Sequence, residues 1–269
     1  MIDGFFHYAF MQYALLAVLL ITPLFALLGT VVMNNRMTFF SDIIGHGALA
    51  GVALSIFLHW PDPLWGILLI AMLIAISVVL LKRFTRAATD SVLGILFSLV
   101  TASGILLLSQ GGNFAQFSSY LIGDILTVSP AQIGWLAVMF MVVILYWAAM
   151  KRALFLTSIS PSLAKSRRIS VWGVELSFAV LLAIVVALSI PLVGILMVTA
   201  LIILPASTAR LVAHNVQQYW MFSLLFSVLS GILGLAASFA LDTSAGATIA
   251  LAGGAMYAAV LMFSRIINR

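Results

Sequence analysis

The chain contains no cysteine, which excludes disulfides, thiolate metal ligands and a cysteine nucleophile. Charge is scarce as well. Asp, Glu, Lys and Arg make up 7% of its 269 residues, against about 25% in a soluble domain. Signatures of self-contained nucleotide or hydrolytic chemistry are also missing. A phosphate-binding loop needs Gly-x-x-x-x-Gly-Lys followed by Ser or Thr. The only Lys before such a residue is Lys165, and Ala164 stands where the glycine is required. Neither a Gly-x-Ser-x-Gly elbow nor a His-Glu-x-x-His pair occurs, so no enzymatic activity of its own is expected. No repeat of fixed period and no linker divides the chain, so residues 1–269 read as a single membrane domain.

What is present is apolar sequence: 64% hydrophobic residues and a mean hydropathy of +1.26. A membrane-crossing helix needs roughly 20 predominantly apolar residues. On that criterion spans fall at about 10–33, 40–59, 63–82, 90–109, 131–150, 173–190, 192–212, 219–240 and 246–265. The fold class is an all-α polytopic integral membrane protein of about nine transmembrane helices, with eight as the fallback. The doubtful joint is Pro191, expected to supply a very short turn between two apolar stretches. The N-terminus lacks a basic leader region, so the first apolar run is expected to be a retained span.

With nine crossings the twelve basic residues collect on one side: Arg36, Lys82, Arg83, Arg86, Lys151, Arg152, Lys165, Arg167, Arg168, Arg210, Arg265 and Arg269. Basic residues accumulate on the cytoplasmic side, which places the N-terminus outside and the C-terminus inside. The net charge of +5 is therefore assigned to lipid orientation and not to nucleic acid. Most acids lean the other way, with Asp3, Asp62, Asp124 and Asp242 outside and Asp90 and Glu175 near inner ends. Asp42 is the exception, drawn into a span.

Two connections exceed a tight turn. The outer stretch 110–130 is partly apolar and is expected to dip back into protein-buried membrane. The inner stretch 151–172 contains Ser160 before Pro161, an N-cap followed by proline at the first helical position. A short surface helix is expected there.

The sharpest polar constellation is Ser41-Asp42-Ile-Ile-Gly45-His46-Gly47-Ala-Leu-Ala-Gly51. Asp42 and His46 are four apart and share one helix face. With a helix starting near Thr38, His46 would lie on the order of 12 Å deep. Ionisable groups at such depth face protein or a water-filled path, and the glycines admit close backbone approach. A carboxylate and an imidazole offer one oxygen and one nitrogen to zinc or another divalent metal. The alternative is a structural pair in which Asp42 orients His46; a proton relay in a self-sufficient transporter is a third use. A second segment carries Pro205 within an apolar span, which displaces the carbonyl near Leu201. Either a pathway-lining kink or a packing kink follows, with Ser207 and Thr208 available to re-satisfy the backbone. His7, His59 and His214 read as interfacial residues, and Asp242 as part of a helix-start turn.

These stretches resemble the membrane permease subunit of binding-protein-dependent ABC importers for zinc and manganese. The resemblance runs in order through Arg36-Met-Thr-Phe-Phe-Ser-Asp-Ile-Ile-Gly-His-Gly, Asp90-Ser-Val-Leu-Gly, Tyr120-Leu-Ile-Gly-Asp, Val193-Gly-Ile-Leu with Leu204-Pro-Ala-Ser-Thr-Ala-Arg, and Leu241-Asp-Thr-Ser-Ala-Gly. The zinc-uptake branch is the more similar, through Arg-Met-Thr-Phe-Phe-Ser-Asp and Ile-Ser-Pro-Ser-Leu-Ala. The resemblance implies a type II ABC importer-like permease in the cell (inner) membrane, paired with a second copy of itself. It implies two cytoplasmic ATPase subunits, which handle ATP, and a metal-binding solute-binding protein outside, docking near Asp62, 110–124 and Asp242. No cofactor is bound permanently; Zn2+ or Mn2+ is cargo, and Asp42 and His46 are implicated in its passage. The ATPase-coupling segment, about 158–170, maps onto Ser160, Pro161, Ser162, Leu163, Ala164, Lys165, Ser166, Arg167 and Arg168. Here the sequence departs from relatives that carry acidic residues and a glycine.

Overall fold

The computed structural model describes residues 8–85, 89–111 and 122–267. Among them are ten α-helices, one 3-10 turn and no strand. In chain order these are α1 (Ala9–Asn34), α2 (Phe40–Phe57), α3 (Pro63–Phe84), α4 (Thr89–Gly111), the 3-10 turn (Ile125–Thr127), α5 (Pro130–Ile159), α6 (Pro161–Ser166), α7 (Val171–Val193), α8 (Ile195–Val212), α9 (Val216–Leu241) and α10 (Ala245–Ile267). Eight are long and apolar enough to cross a membrane; the ninth apolar stretch, α8, is shorter, its apolar part running over Met197–Val212. Every expected span is thus helical, and the fallback count of eight describes the helices of full spanning length.

Two boundaries differ from expectation for local reasons. α5 does not stop near residue 150 but continues to Ile159, about 45 Å of helix at 1.5 Å per residue, against a hydrocarbon core of roughly 30 Å. Nothing between Gly134 and Ser160 breaks it, and Lys151 and Arg152 sit on its helical extension. The helix ends where Pro161 forces Ser160 out of helical geometry, at φ −148° and ψ 95°. The second difference concerns Pro191, which lies inside α7 and does not make the turn. The break falls at Gly194, with φ 88° and ψ 151°, a region that only glycine occupies readily.

The chain forms two compact units, each assembled from separated segments. The first comprises Met1–Met33, Ile122–Ala148 and Leu192–Arg269. Within it α10 packs on α8 and α9, and hydroxyls on α9 fasten α1. Ser223 Oγ donates to the Ala26 carbonyl at 3.2 Å and Ser227 Oγ to the Thr22 carbonyl at 2.5 Å. Such interhelical hydrogen bonds replace the hydrophobic effect as a source of specificity where lipid is the solvent.

The second unit comprises Asn34–Leu121 and Ala149–Pro191. α2 is its central helix, packed along both α3 and α4. The α2–α3 approach is backbone on backbone: a Cβ on Gly51 would lie 2.6 Å from Ile67 Cα. Asp62 caps α3 by accepting from Leu64 N at 2.9 Å, with Pro63 at the first position. At the other end of α3, Lys82 Nζ lies 3.5 Å from Glu175 Oε1, and the Arg83 guanidinium sits 5.7 Å above the Trp172 ring. Two helices remote in sequence are thereby tied beside the segment that precedes α7.

Candidate metal-transfer site and coupling segment

α2 begins at Phe40, with Ile43 N donating to the Phe39 carbonyl at 3.1 Å. It starts two residues later than expected, so His46 is six residues into the helix, about 9 Å along the axis. Asp42 lies in the first turn, where a carboxylate complements the helix dipole. Asp42 and His46 are each partly exposed, whereas Ser41, Ile43, Ile44, Gly45, Gly47 and Ala48 are buried. The shared face predicted from their spacing is the one face of this turn that the chain leaves open. The His46 ring stands edge-on to Phe97 of α4, centroids 5.0 Å apart at 77°, which fixes one side of the imidazole. One residue on, a Cβ at Gly47 would meet Ile74 Cδ1 at 2.5 Å and Val100 Cγ1 at 3.1 Å. The glycine is what lets three helices close behind the pair.

Among the described residues no third Asp, Glu, His or Cys joins these two in a metal-holding group. One oxygen and one nitrogen do not make the closed four-ligand cage of a structural zinc site. Chemically the pair suits a passing ion that keeps other ligands.

The segment expected to meet an ATPase folds as its sequence specifies. Ser160 caps α6, its Oγ accepting from Leu163 N at 3.3 Å and lying 3.0 Å from Ser162 Oγ. The C-terminal end is a Schellman motif: Arg168 N donates to the Lys165 carbonyl and Ile169 N to the Ala164 carbonyl, both at 3.0 Å, the pattern that closes a helix with a left-handed residue. That left-handed residue is Arg168, at φ 61°, where glycine would be unstrained. Ala164 is fully buried and anchors the turn, while Ile159 and Leu163 are 71% and 48% exposed. Lys165, Ser166, Arg167 and Arg168 are exposed around them. The product is a capped helix whose exposed Leu163 stands with Ile159, the last residue of α5, inside a basic rim.

Pro205, Ser207 and Thr208 belong to the first unit. Pro205 lies inside α8, and Thr208 Oγ1 donates to the Leu204 carbonyl at 2.8 Å, an ordinary bond one turn back and not to the Leu201 carbonyl that Pro205 leaves without its N–H. Ser207 Oγ reaches Met33 Sδ at 3.8 Å, and Ala206 beside it is fully buried. Of the outer stretch 110–130, residues 112–121 lie outside the described residues, as do Asp3, His7, Arg86 and Arg269. In the remainder Asp124 caps the 3-10 turn through Leu126 N at 3.0 Å, and Ile125 and Val128 are buried. Asp242 corrects its sequence reading: it ends α9 in a left-handed conformation at φ 49° and does not open α10. His59 and His214 are exposed near helix ends.

Three contacts were not read from the sequence: Lys82 with Glu175, Arg83 with Trp172, and His46 with Phe97. Each joins helices far apart in the chain, and only the Asp-Pro at 62–63 carried a local signal, for the α3 cap.

Comparison with known proteins gives a consistent result. The profile of the ABC 3 transport family matches residues 7–264. The high-affinity zinc uptake system membrane protein ZnuB of Haemophilus influenzae is 30% identical over 91% of this chain and 94% of its own length. The manganese transport system membrane protein MntC of Halalkalibacterium halodurans is 26% identical over 97% of this chain and 90% of its own. Among solved structures, PsaBC from Streptococcus pneumoniae in complex with Fab superimposes with a TM-score of 0.82 at 27% identity, covering 96% of this chain and 93% of that one.

Proposed function

Because the chain belongs to the ABC 3 transport family and is a membrane permease of the metal-importing kind, we propose that it moves zinc into the cytoplasm as the membrane-spanning subunit of an ATP-driven importer. Two copies form the pathway, two ATPase subunits bind inside, and a solute-binding protein delivers the ion from outside. The observation that carries this reading is Asp42 and His46, one turn apart on the open face of an otherwise buried helix segment. A relative named for zinc uptake supports zinc; relatives named for manganese transport make manganese the alternative cargo, since oxygen and nitrogen donors accept both.

In this reading each protomer offers one carboxylate oxygen and one imidazole nitrogen, and the paired copies complete a transient site with water. Transport requires a site that binds well enough to admit the ion and loosely enough to release it. Closure of the ATPases moves α6 through its exposed Leu163 and the neighbouring Ile159 of α5. The second unit contains α6, α7, α3 and α2 together, and the Lys82–Glu175 and Arg83–Trp172 contacts tie α7 to α3, which packs on α2. Movement at the coupling segment therefore has a packed route to the metal pair. Pro205, Ser207 and Thr208 serve as a kinked, packed part of the pathway wall, not as ligands. Orientation follows the basic residues, with the N-terminus outside.

Asp42→Ala and His46→Ala, each reconstituted with the ATPase and binding protein in vesicles, are expected to lose radioactive zinc uptake at least tenfold while the complex still assembles. Uptake at the unsubstituted rate in both variants rejects the assignment.

A further inference from the structure

The turn at α6 carries more positive charge than its own surroundings answer. Lys165, Arg167 and Arg168 are all exposed, and their stretch of chain offers them no carboxylate. No Asp or Glu occurs between Asp124 and Glu175, and Glu175 Oε1 lies 3.5 Å from Lys82 Nζ. Among these cations the aliphatic side chains of Leu163 and Ile159 are also left exposed. The turn is not loose. Ser160 caps it at 3.3 Å, Ala164 is fully buried, and bonds from Arg168 N and Ile169 N close its end at 3.0 Å. Charge and apolar surface are held in a fixed arrangement before any partner arrives.

Two observations separate this group from basic residues that only orient a span. The first is height. Lys151 and Arg152 lie about twenty residues after α5 begins at Pro130, where a hydrocarbon core of roughly 30 Å is exhausted and basic side chains reach the headgroups. Ile159 is seven residues further along the same helix, about 10 Å, whereas the headgroup layer is about 5–7 Å thick on each face. α6 therefore starts beyond the lipid, in water, where exposed aliphatic side chains with a polar rim mark a protein contact. The second is conformation. Arg168 is left-handed at φ 61°, at the position of this motif that favours glycine. A long side chain kept at a disfavoured backbone position points to a use for that side chain.

We propose that Lys165, Arg167 and Arg168 ring an electrostatic docking surface whose occupant is a carboxylate-lined socket on the cytoplasmic ATPase subunit, and that charge at this rim decides which ATPase the permease accepts. This rests on the reading of the chain as part of an ATP-driven importer given above. Leu163 and Ile159 fill the apolar centre of the contact, and the three cations meet carboxylates around it. Rim charges govern encounter rate and discrimination against wrong partners. An ATPase with a neutral or basic socket is refused although the aliphatic fit is unchanged.

The test titrates the partner ATPase onto the full-length permease in phosphatidylcholine nanodiscs, which carry no net charge. Lys165→Gln, Arg167→Gln and Arg168→Gln combined are expected to weaken binding roughly tenfold at about 50 mM salt and less than about twofold at about 500 mM, because salt screens exposed charge. Arg168→Gly alone suits the left-handed backbone. It is expected to melt no lower than the unsubstituted protein yet to bind roughly threefold more weakly at the lower salt, and it decides the matter if the triple variant does not assemble. A loss equal at both salts is a packing defect and overturns the inference, as does unchanged binding at the lower salt. An effect seen only when phosphatidylglycerol replaces phosphatidylcholine assigns the rim to lipid and overturns it too. Leu163→Asp is measured alongside. If it releases the ATPase while the charge variants do not, only the rim inference falls; if none of them has an effect, docking at α6 itself falls.

Discussion

At the scale of single residues, the glycines of this chain divide into those that make contacts possible and those that only occupy a helix. Gly51 is of the first kind, since a Cβ there would lie 2.6 Å from Ile67 Cα and 2.7 Å from the Gly66 carbonyl oxygen. Those are backbone atoms, which cannot swing aside. Gly94 is of the second kind, with nothing within 4 Å of the position a Cβ would take. Gly51→Val is therefore expected to lose at least about 1–3 kcal/mol through overpacking, and Gly94→Ala to gain up to about 1 kcal/mol from helix propensity. Thermal unfolding in detergent checks both, and a Gly51→Val protein melting with the unsubstituted one would refute the packing account. The run Gly45-His46-Gly47 through Gly51 announced close approach from its spacing, but nothing in the sequence separated Gly94 from it. The atoms a side chain would strike come from a different helix.

At the scale of elements, the conformation of the proposed coupling segment was almost wholly legible. Ser160 and Pro161 specify a cap and a first turn by local chemistry alone. What remained hidden was the length of α5 leading into it and the left-handed closure at Arg168, which the sequence would have signalled only with a glycine. Removing the cap with Ser160→Ala is expected to cost about 1 kcal/mol of local helix stability. Leu163→Asp, on an exposed knob, should leave the melting temperature unchanged but weaken retention of the ATPase subunits. Co-purification with the ATPase, read beside thermal unfolding, distinguishes the two. A Leu163→Asp protein that holds its ATPases as firmly as before removes α6 from the docking surface. The side chains of the Lys82–Glu175 ion pair are 19% and 28% exposed, and the pair's importance is in tying α7 to α3.

For the whole molecule, the decisive question is the source of energy. The chain has no nucleotide-binding signature, and its family is one of ABC transport. Metal uptake is therefore expected to stop when the partner ATPase is made unable to hydrolyse ATP. Uptake that persists, driven by a proton gradient, would favour the use of Asp42 and His46 as a relay in a self-sufficient transporter. Radioactive uptake into vesicles with and without an imposed pH gradient separates these outcomes.

The sequence by itself determined the class, the helices and their approximate ends, because apolar run length, proline and capping residues act within a few positions of themselves. It also placed Asp42 and His46 on one face, since helical period is a local property. Only the tertiary structure decided that this face stays open while its neighbours close, that Phe97 braces the imidazole, and that Gly194 instead of Pro191 breaks the chain. Burial and satisfaction are set by what other helices bring alongside, and in an apolar chain nearly every helix offers an equally acceptable greasy surface until the backbones meet.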